Sequence, residues 1–254
     1  VPPVRGVYHT HTFRCKHASG DVPDYARAAL AAGLAELGAA DHTPTPDGRW
    51  GDVRMALAEL PDYEAAVARA RAEVPGVRVR LGMECDIGAE LFGFYRDTYL
   101  ARGYDYLIAS IHYLRVGGRE ISAFGGCRGR EALRDWAARV RQAADSRMFA
   151  FLAHPDNIAC GDAPWDAEVA AAVDEVCATA AAAGLPLELN SLGLRERRGY
   201  PWRPFWERAA AHRCRVVLSS DAHDPRHTAD GLDALADFAA GLGLVVVPAV
   251  APTG

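Results

Sequence analysis

The sequence predicts an α/β fold in which a parallel sheet closes into a (β/α) barrel. Two observations carry this. Short apolar runs rich in β-branched or aromatic residues recur eight times, with alanine-rich helical stretches between them. The length of 254 residues also suits seven or eight strand–helix units around one core. An open doubly wound sheet is the competing architecture, but no glycine-rich phosphate fingerprint follows the first run to favour it. No linker, charge block or fixed-period repeat divides the chain, so residues 1–254 read as one domain.

The strand runs are 5–9, 34–40, 77–83, 104–111, 149–153, 185–189, 215–219 and 242–247. Three intervening helices have legible ends. DVPDYARAALAAG begins at Asp21 or Asp24 and ends at Gly33. LPDYEAAVARARAE carries Pro61, suited to a first helical turn because proline has no N–H to leave unpaired there. DAEVAAAVDEVCATAAAAG runs from Asp166 as N-cap to Gly184 just past the end. The segment 114–130, LRVGGREISAFGGCRGR, shows neither strand nor helix period, and its glycines predict a loop able to cover a site.

Composition excludes several classes of function. The chain carries 28 basic and 33 acidic side chains, for a formal charge of −5. No basic stripe offers a nucleic-acid footprint, no polybasic run offers a membrane surface, and no apolar stretch approaches bilayer length. The N-terminal VPPVRGVYHTHT lacks a charged region followed by an apolar one, which predicts a cytoplasmic protein. Six cysteines without a CxxC pair then read as reduced thiols, mostly small buried hydrophobes. Lys16 is the only lysine and reads as a solvated loop residue.

The chemistry lies in where the polar residues fall. His9 and His11 end the first strand two residues apart, so in extended chain both imidazoles point to one side. His17 follows in the next loop. His42, Glu84, His112 and His154 close the next four strands, and Asp221 and His223 close the seventh. Seven of nine histidines thus end a strand or enter the loop after it. In a parallel barrel these ends converge on one face. Singly, each has a plain structural reading as a cap, a turn or a surface residue. Together, nine imidazole or carboxylate groups on one face would be costly to bury without cations, which predicts a multinuclear metal site. His212 and His227 fit no strand end and read as structural.

The ordered set HTHT, His17, ADHTP, MECD, SIH, AHPD and SDAH resembles the polymerase and histidinol phosphatase superfamily. HTHTFRCKHASG, RMALAELPDYEAAVARARAEVPGVRVRLGMECD and LELNSLGLRERRGYP resemble its histidinol-phosphate phosphatase branch, whereas LRVGGREISAFGG after His112 departs from it. The resemblance implies a distorted (β/α)7 TIM-like barrel with two or three divalent ions. It implies that His9, His11, Glu84 and Asp221 hold the first ion. Glu84, bridging, would hold the second with His112 and His154, and His17, His42 and His223 the third. Mixed nitrogen and oxygen ligands suit zinc, manganese or ferrous iron.

The expected reaction is hydrolysis of L-histidinol phosphate by a hydroxide shared between two ions. Glu84, Asp221, His223 and Arg195 would form the catalytic group. Arg195 is the first choice for clamping phosphate, with Arg197 and Arg198 weaker, and His42 would also face the substrate. The partner is then a small phosphorylated molecule. Competing readings are a phosphoesterase for another monoester or a nucleotide diester, a DNA exonuclease, an amidohydrolase, and a metal-binding domain without catalysis. An acidic surface disfavours the exonuclease. An amidohydrolase would leave His17, His42 and His223 without a role.

Overall fold

The computed structural model describes residues 4–125, 129–159, 165–248 and 250. The eight apolar runs each place a strand in one parallel sheet: β1 (Gly6–Val7), β2 (Glu36–Ala39), β3 (Arg78–Asp86), β4 (Tyr106–Ser110), β7 (Phe151–Leu152), β8 (Leu187–Asn190), β9 (Arg215–Ser219) and β10 (Val245–Val246). The order in the sheet is the order in the chain. A parallel bridge between Thr10 and Ala222 joins the chain just after β1 to the chain just after β9, curling the sheet into a barrel. The two-residue β10 adds to the seven strands that the resemblance implies.

Helices α1 (Val22–Ala31), α2 (Leu60–Glu73), α3 (Phe92–Thr98), α4 (Arg130–Ser146), α5 (Ala167–Ala183), α6 (Ser191–Arg195), α7 (Arg203–Ala211) and α8 (Leu232–Leu242) connect the strands. Their ends follow the capping chemistry of the sequence. Asp21 caps α1 in a reciprocal box with Asp24, Pro61 sits in the first turn of α2, and Asp166 caps α5, which stops at left-handed Gly184.

The segment 114–130 is where the structure differs from expectation. Tyr113–Val116 (β5) and Arg119–Ser122 (β6) pair as an antiparallel hairpin. Its turn is Gly117–Gly118, both at positive φ (57° and 73°), as a two-residue hairpin turn requires. With β6 exposed throughout, the hairpin buries too little to show an alternating pattern. Residues 126–128, including Cys127, lie outside the described residues, as does Cys160. The other four cysteines are buried free thiols.

Alternation along the strands sorts side chains into two cores. From β3, β4, β8 and β9, Met83, Cys85, Leu107, Ala109, Leu187, Leu189, Val216 and Leu218 face outward into the main core under the helices. Tyr106, Ile108, Phe151 and Val217 face inward with Tyr8 and form an apolar barrel floor. Gly38 and Gly82 are required there, because a Cβ on either would lie 2.0 Å or 2.4 Å from the Tyr106 phenol. The Tyr106 hydroxyl donates to the Tyr8 carbonyl at 2.6 Å. One pleat further along, the inward positions become Glu84, Asp86, Ser110, His112, Glu188, Asn190 and Ser219, all buried. The polar pole therefore sits on an apolar floor within one barrel.

Arg14 organises the loop after β1. Its buried guanidinium donates to Asp21 Oδ1 at 2.6 Å and to Asp62 Oδ2 from Nε at 3.0 Å, tying that loop to the starts of α1 and α2. Without Arg14, Asp62 is solvated and Asp21 keeps Arg69, so the loss is that of the charged hydrogen bonds alone. Arg14→Met should therefore lower unfolding free energy by about 1.5 kcal/mol, measured by urea titration of the metal-free protein.

Candidate metal centre

The strand ends bring all nine candidate side chains to one pole. Glu84, 1% exposed, lies at their middle. Its Oε2 is 2.7 Å from His42 Nδ1, 3.3 Å from His9 Nε2 and 3.7 Å from His11 Nε2. Its Oε1 is 3.2 Å from both His112 Nε2 and His154 Nε2. Asp221 Oδ1 approaches His11 Nε2 at 2.9 Å and His9 Nε2 at 3.6 Å. His17 and His223 face each other Nε2 to Nε2 at 3.1 Å beside His42.

This donor set fits divalent cations. His9 Nε2, His11 Nε2, His42 Nδ1 and Glu84 Oε2 are buried with no hydrogen-bond partner, although each has neighbouring donor atoms close by. His17 Nδ1–H donates to the Cys15 carbonyl at 2.7 Å and His223 Nδ1–H to the Asp221 carbonyl at 3.1 Å. These tautomers leave two Nε2 lone pairs aimed at one another. Tetrahedral zinc at ordinary bond lengths would hold two such nitrogens about 3.4 Å apart. His17, His42 and His223 form one group with ligand geometry, His9, His11 and Glu84 another, and His42, Glu84 and His112 a third. His42 thus stands between two groups, and Glu84 belongs to two.

Carboxylates behind the rings set their orientation. Glu188 Oε1 accepts from His9 Nδ1–H at 2.9 Å, and its Oε2 accepts the His154 backbone N–H at 2.9 Å. Asp86 Oδ1 accepts from His112 Nδ1–H at 2.8 Å, while Asp41 Oδ1 lies 3.4 Å from His11 Nδ1. Asn190 caps α6 through Oδ1 and donates to Asp221 Oδ2 at 3.1 Å. Sequence reading did not single out Asp41, Asp86 or Glu188. The signal for Glu188 was a carboxylate inside the apolar strand LELN, and Asp41 and Asp86 adjoin candidate ligands.

Two of the nine candidate ligands have backbones held at positive φ, His154 at 27° and Asp221 at 48°. Such conformations cost free energy and persist where surrounding bonds over-determine them. Here the bonds are Glu188 to the His154 N–H and the Thr10–Ala222 bridge beside Asp221.

Electrostatics follow from burial against charge pairing. Burial disfavours the Glu84 carboxylate, yet His112, His9 and His42 outweigh it and hold Glu84 well below the ordinary range. Burial likewise opposes charge on Asp86, but Arg54 and His112 bring it down to about 2. Burial also opposes charge on His112, but Asp86 and Glu84 push it up to about 9. For His42, burial and then the Arg54 charge hold the ring well below its usual value.

A cavity of about 400 Å³ opens above the cluster, walled by Arg54, Tyr113, Phe124, Leu192, Glu196 and Arg198. Arg198 Nε donates to Glu196 Oε2 at 2.7 Å, and its guanidinium lies 5.7 Å from the Phe124 ring centroid. Arg195 ends α6 half-buried, with Nη1 buried and lacking a hydrogen-bond partner. Arg197 is exposed at positive φ (54°). Arg198, ranked behind Arg195 on sequence, is the one of the three on the cavity wall. Lys16 is exposed and donates to the Gly51 carbonyl. His212 and His227 lie apart from the cluster, beside Asp174 and Asp230.

Fold and site together define a barrel with a polar pole built to hold several divalent ions. The chain belongs to the PHP family, whose domain model matches residues 8–192. It is 37% identical over 235 residues to the "Probable histidinol-phosphatase" of Deinococcus radiodurans, with 85% of each chain covered. Among solved structures, it resembles a candidate histidinol phosphatase from Listeria monocytogenes. That match has a TM-score of 0.77 and 18% identity, with 90% of this chain and 99% of that one covered. A histidinol phosphate phosphatase from Lactococcus lactis, solved with zinc, L-histidinol and phosphate, aligns with a TM-score of 0.75 and 17% identity. It covers 98% of this chain and 97% of that one. Among the described residues, no helix is long and apolar enough to cross a membrane.

Because Arg54 and His112 bring the Asp86 carboxyl down to about 2 against the effect of burial, Asp86→Asn should cost the metal-free protein about 2 kcal/mol above pH 4. A depressed carboxylate stabilises the fold above its unfolded pKa, so the cost should fade as pH falls towards 2. Paired urea titrations across that range would measure it. Glu188→Gln should weaken metal retention by about 10- to 100-fold in chelator competition, since the His9 ring loses its anionic partner.

Proposed function

We propose that this protein hydrolyses L-histidinol phosphate to L-histidinol and inorganic phosphate in the cytoplasm, using two or three divalent ions. The observation that carries the reading is the gathering of nine imidazole and carboxylate groups at one pole, five of the rings within 3.7 Å of Glu84, with orphaned ring nitrogens, beneath a cavity walled by arginine. The Deinococcus relative's name and the zinc, L-histidinol and phosphate in the Lactococcus structure support the substrate and the metal.

His9, His11, Glu84 and Asp221 would hold one ion, Glu84, His112 and His154 a second, and His17, His42 and His223 a third. When bound, the ions supply Lewis-acid charge for the phosphoryl oxygens and make hydroxide available at neutral pH. The protein's own share is orientation. Glu188, Asp86 and the Cys15 and Asp221 carbonyls fix which nitrogen of His9, His112, His17 and His223 faces inward. Glu84 can serve two ions because a carboxylate has two oxygens and an imidazole has one free lone pair. Arg195, the first choice on sequence, keeps a buried and unpartnered Nη1 that can take an anion, although it does not itself wall the cavity. Arg198, held by Glu196 on the cavity wall, is a second clamp, and His42 also faces the substrate. Arg197, exposed, ranks behind both.

A panel of phosphate monoesters and diesters tests the reading. L-Histidinol phosphate should be preferred, and a chelator should abolish turnover. Preference for a diester, or no turnover of histidinol phosphate, would reject the substrate. Glu84→Gln should lose metal from two positions, measured as ions per chain. Arg195→Ala should lower kcat/KM about 100-fold with metal content unchanged.

A further inference from the structure

Arg54 brings a buried positive charge to the cavity wall, and neither the sequence motifs nor the proposed mechanism gives it a role. It is 3% exposed and lies in the loop between β2 and α2. Its Nη2 donates to Asp86 Oδ2 at 2.6 Å and its Nη1 to the Val53 carbonyl at 3.1 Å. Its Nε is buried without a partner. The guanidinium stands 5.6 Å from the Trp50 ring centroid, and that indole stacks on Tyr113 at 4.5 Å with ring planes 8° apart. Trp50 is held at a φ of 60°, a conformation a bulky side chain adopts only where its surroundings compensate. Trp50 and Asp86 thus hold Arg54 firmly beside the metal cluster.

A purely structural role leaves part of the guanidinium unused, because Asp86 balances the Arg54 charge but Nε has no partner. Asp86 is shared, with one oxygen on Arg54 and the other on His112. One carboxylate therefore serves two donors, and Arg54 stands beside imidazoles that would already face cations. Asp86 already stands between Arg54 and His112, and an anion bound in the cavity would be attracted by Arg54 and by an occupied centre together. The cavity provides room for that anion, and the guanidinium fork suits phosphate.

We propose that Arg54 binds the phosphoryl group directly, with Asp86 holding its guanidinium in register with the His112 ring. The identity of the anion rests on the phosphomonoesterase reading, but the assignment needs only a phosphate monoester or inorganic phosphate.

The test titrates inorganic phosphate into the metal-loaded enzyme by calorimetry. p-Nitrophenyl phosphate turnover and ions per chain are measured alongside, for wild type, Arg54→Gln, Arg54→Lys and Asp86→Asn. Arg54→Gln should raise the phosphate Kd at least tenfold and lower kcat/KM about 100-fold, with metal content at the wild-type level. Arg54→Lys should recover part of the binding, because it keeps the charge but not the fork. A phosphate Kd within twofold of wild type in either variant overturns the assignment. So does a loss that tracks metal loss and is matched by Asp86→Asn, since Arg54 would then act only through His112. Should the glutamine variant fail to fold, the lysine variant decides alone. Failure of wild type to hydrolyse histidinol phosphate would reject the substrate and leave the Arg54 result to be read on its own.

Discussion

A single buried carboxylate, Glu84, sets the terms for the rest of the molecule. Its two oxygens face five imidazoles within 3.7 Å, in a place with almost no solvent access. A charge so placed is costly unless cations surround it, and imidazoles crowded together carry charge poorly. The geometry is coherent when divalent ions share the lone pairs. β3, nine residues long, carries Glu84 into the middle of the pole, and its neighbours deliver their own terminal residues to the same height.

Holding such a cluster needs support on two levels. Beneath it, Tyr106 fills the barrel over Gly38 and Gly82, so the polar layer rests on a packed apolar one. Behind it, Glu188, Asp86 and Asp41 lie against the outer ring nitrogens, so orientation is set before any ion arrives. The positive φ at His154 and Asp221 belongs to the same economy: these two backbones bend so that their side chains can point inward. Arg54 fits the pattern, a cation held by one of these carboxylates in the wall of the cavity.

The repeating architecture was legible because strand alternation and helix capping are local. Asp21, Pro61, Asp166 and Gly184 act through their own backbone neighbourhoods, and each helix end falls where those residues put it. The β5–β6 hairpin was not legible as strands. Its faces are mostly exposed, so burial imprinted no period, and only the Gly117–Gly118 pair hinted at a turn. Of the site, the groups ending strands were visible as a set because the barrel rule converts strand ends into one face. Asp41, Asp86 and Glu188 were not legible as part of it, because the rings they hold belong to other strands.

The sequence by itself determined the order of the eight sheet strands, the ends of α1, α2 and α5, and the inventory of imidazoles and carboxylates at strand ends. These follow from period, capping and residue type within a few positions of one another. Only the tertiary structure decided which ring nitrogen faces inward, that His42 stands between two donor groups, and that Arg198 and Arg54 wall the cavity. Those outcomes depend on contacts between residues tens to hundreds of positions apart, such as His17 with His223 and His9 with Glu188. Closure of the barrel makes those contacts, and no local signal carries them.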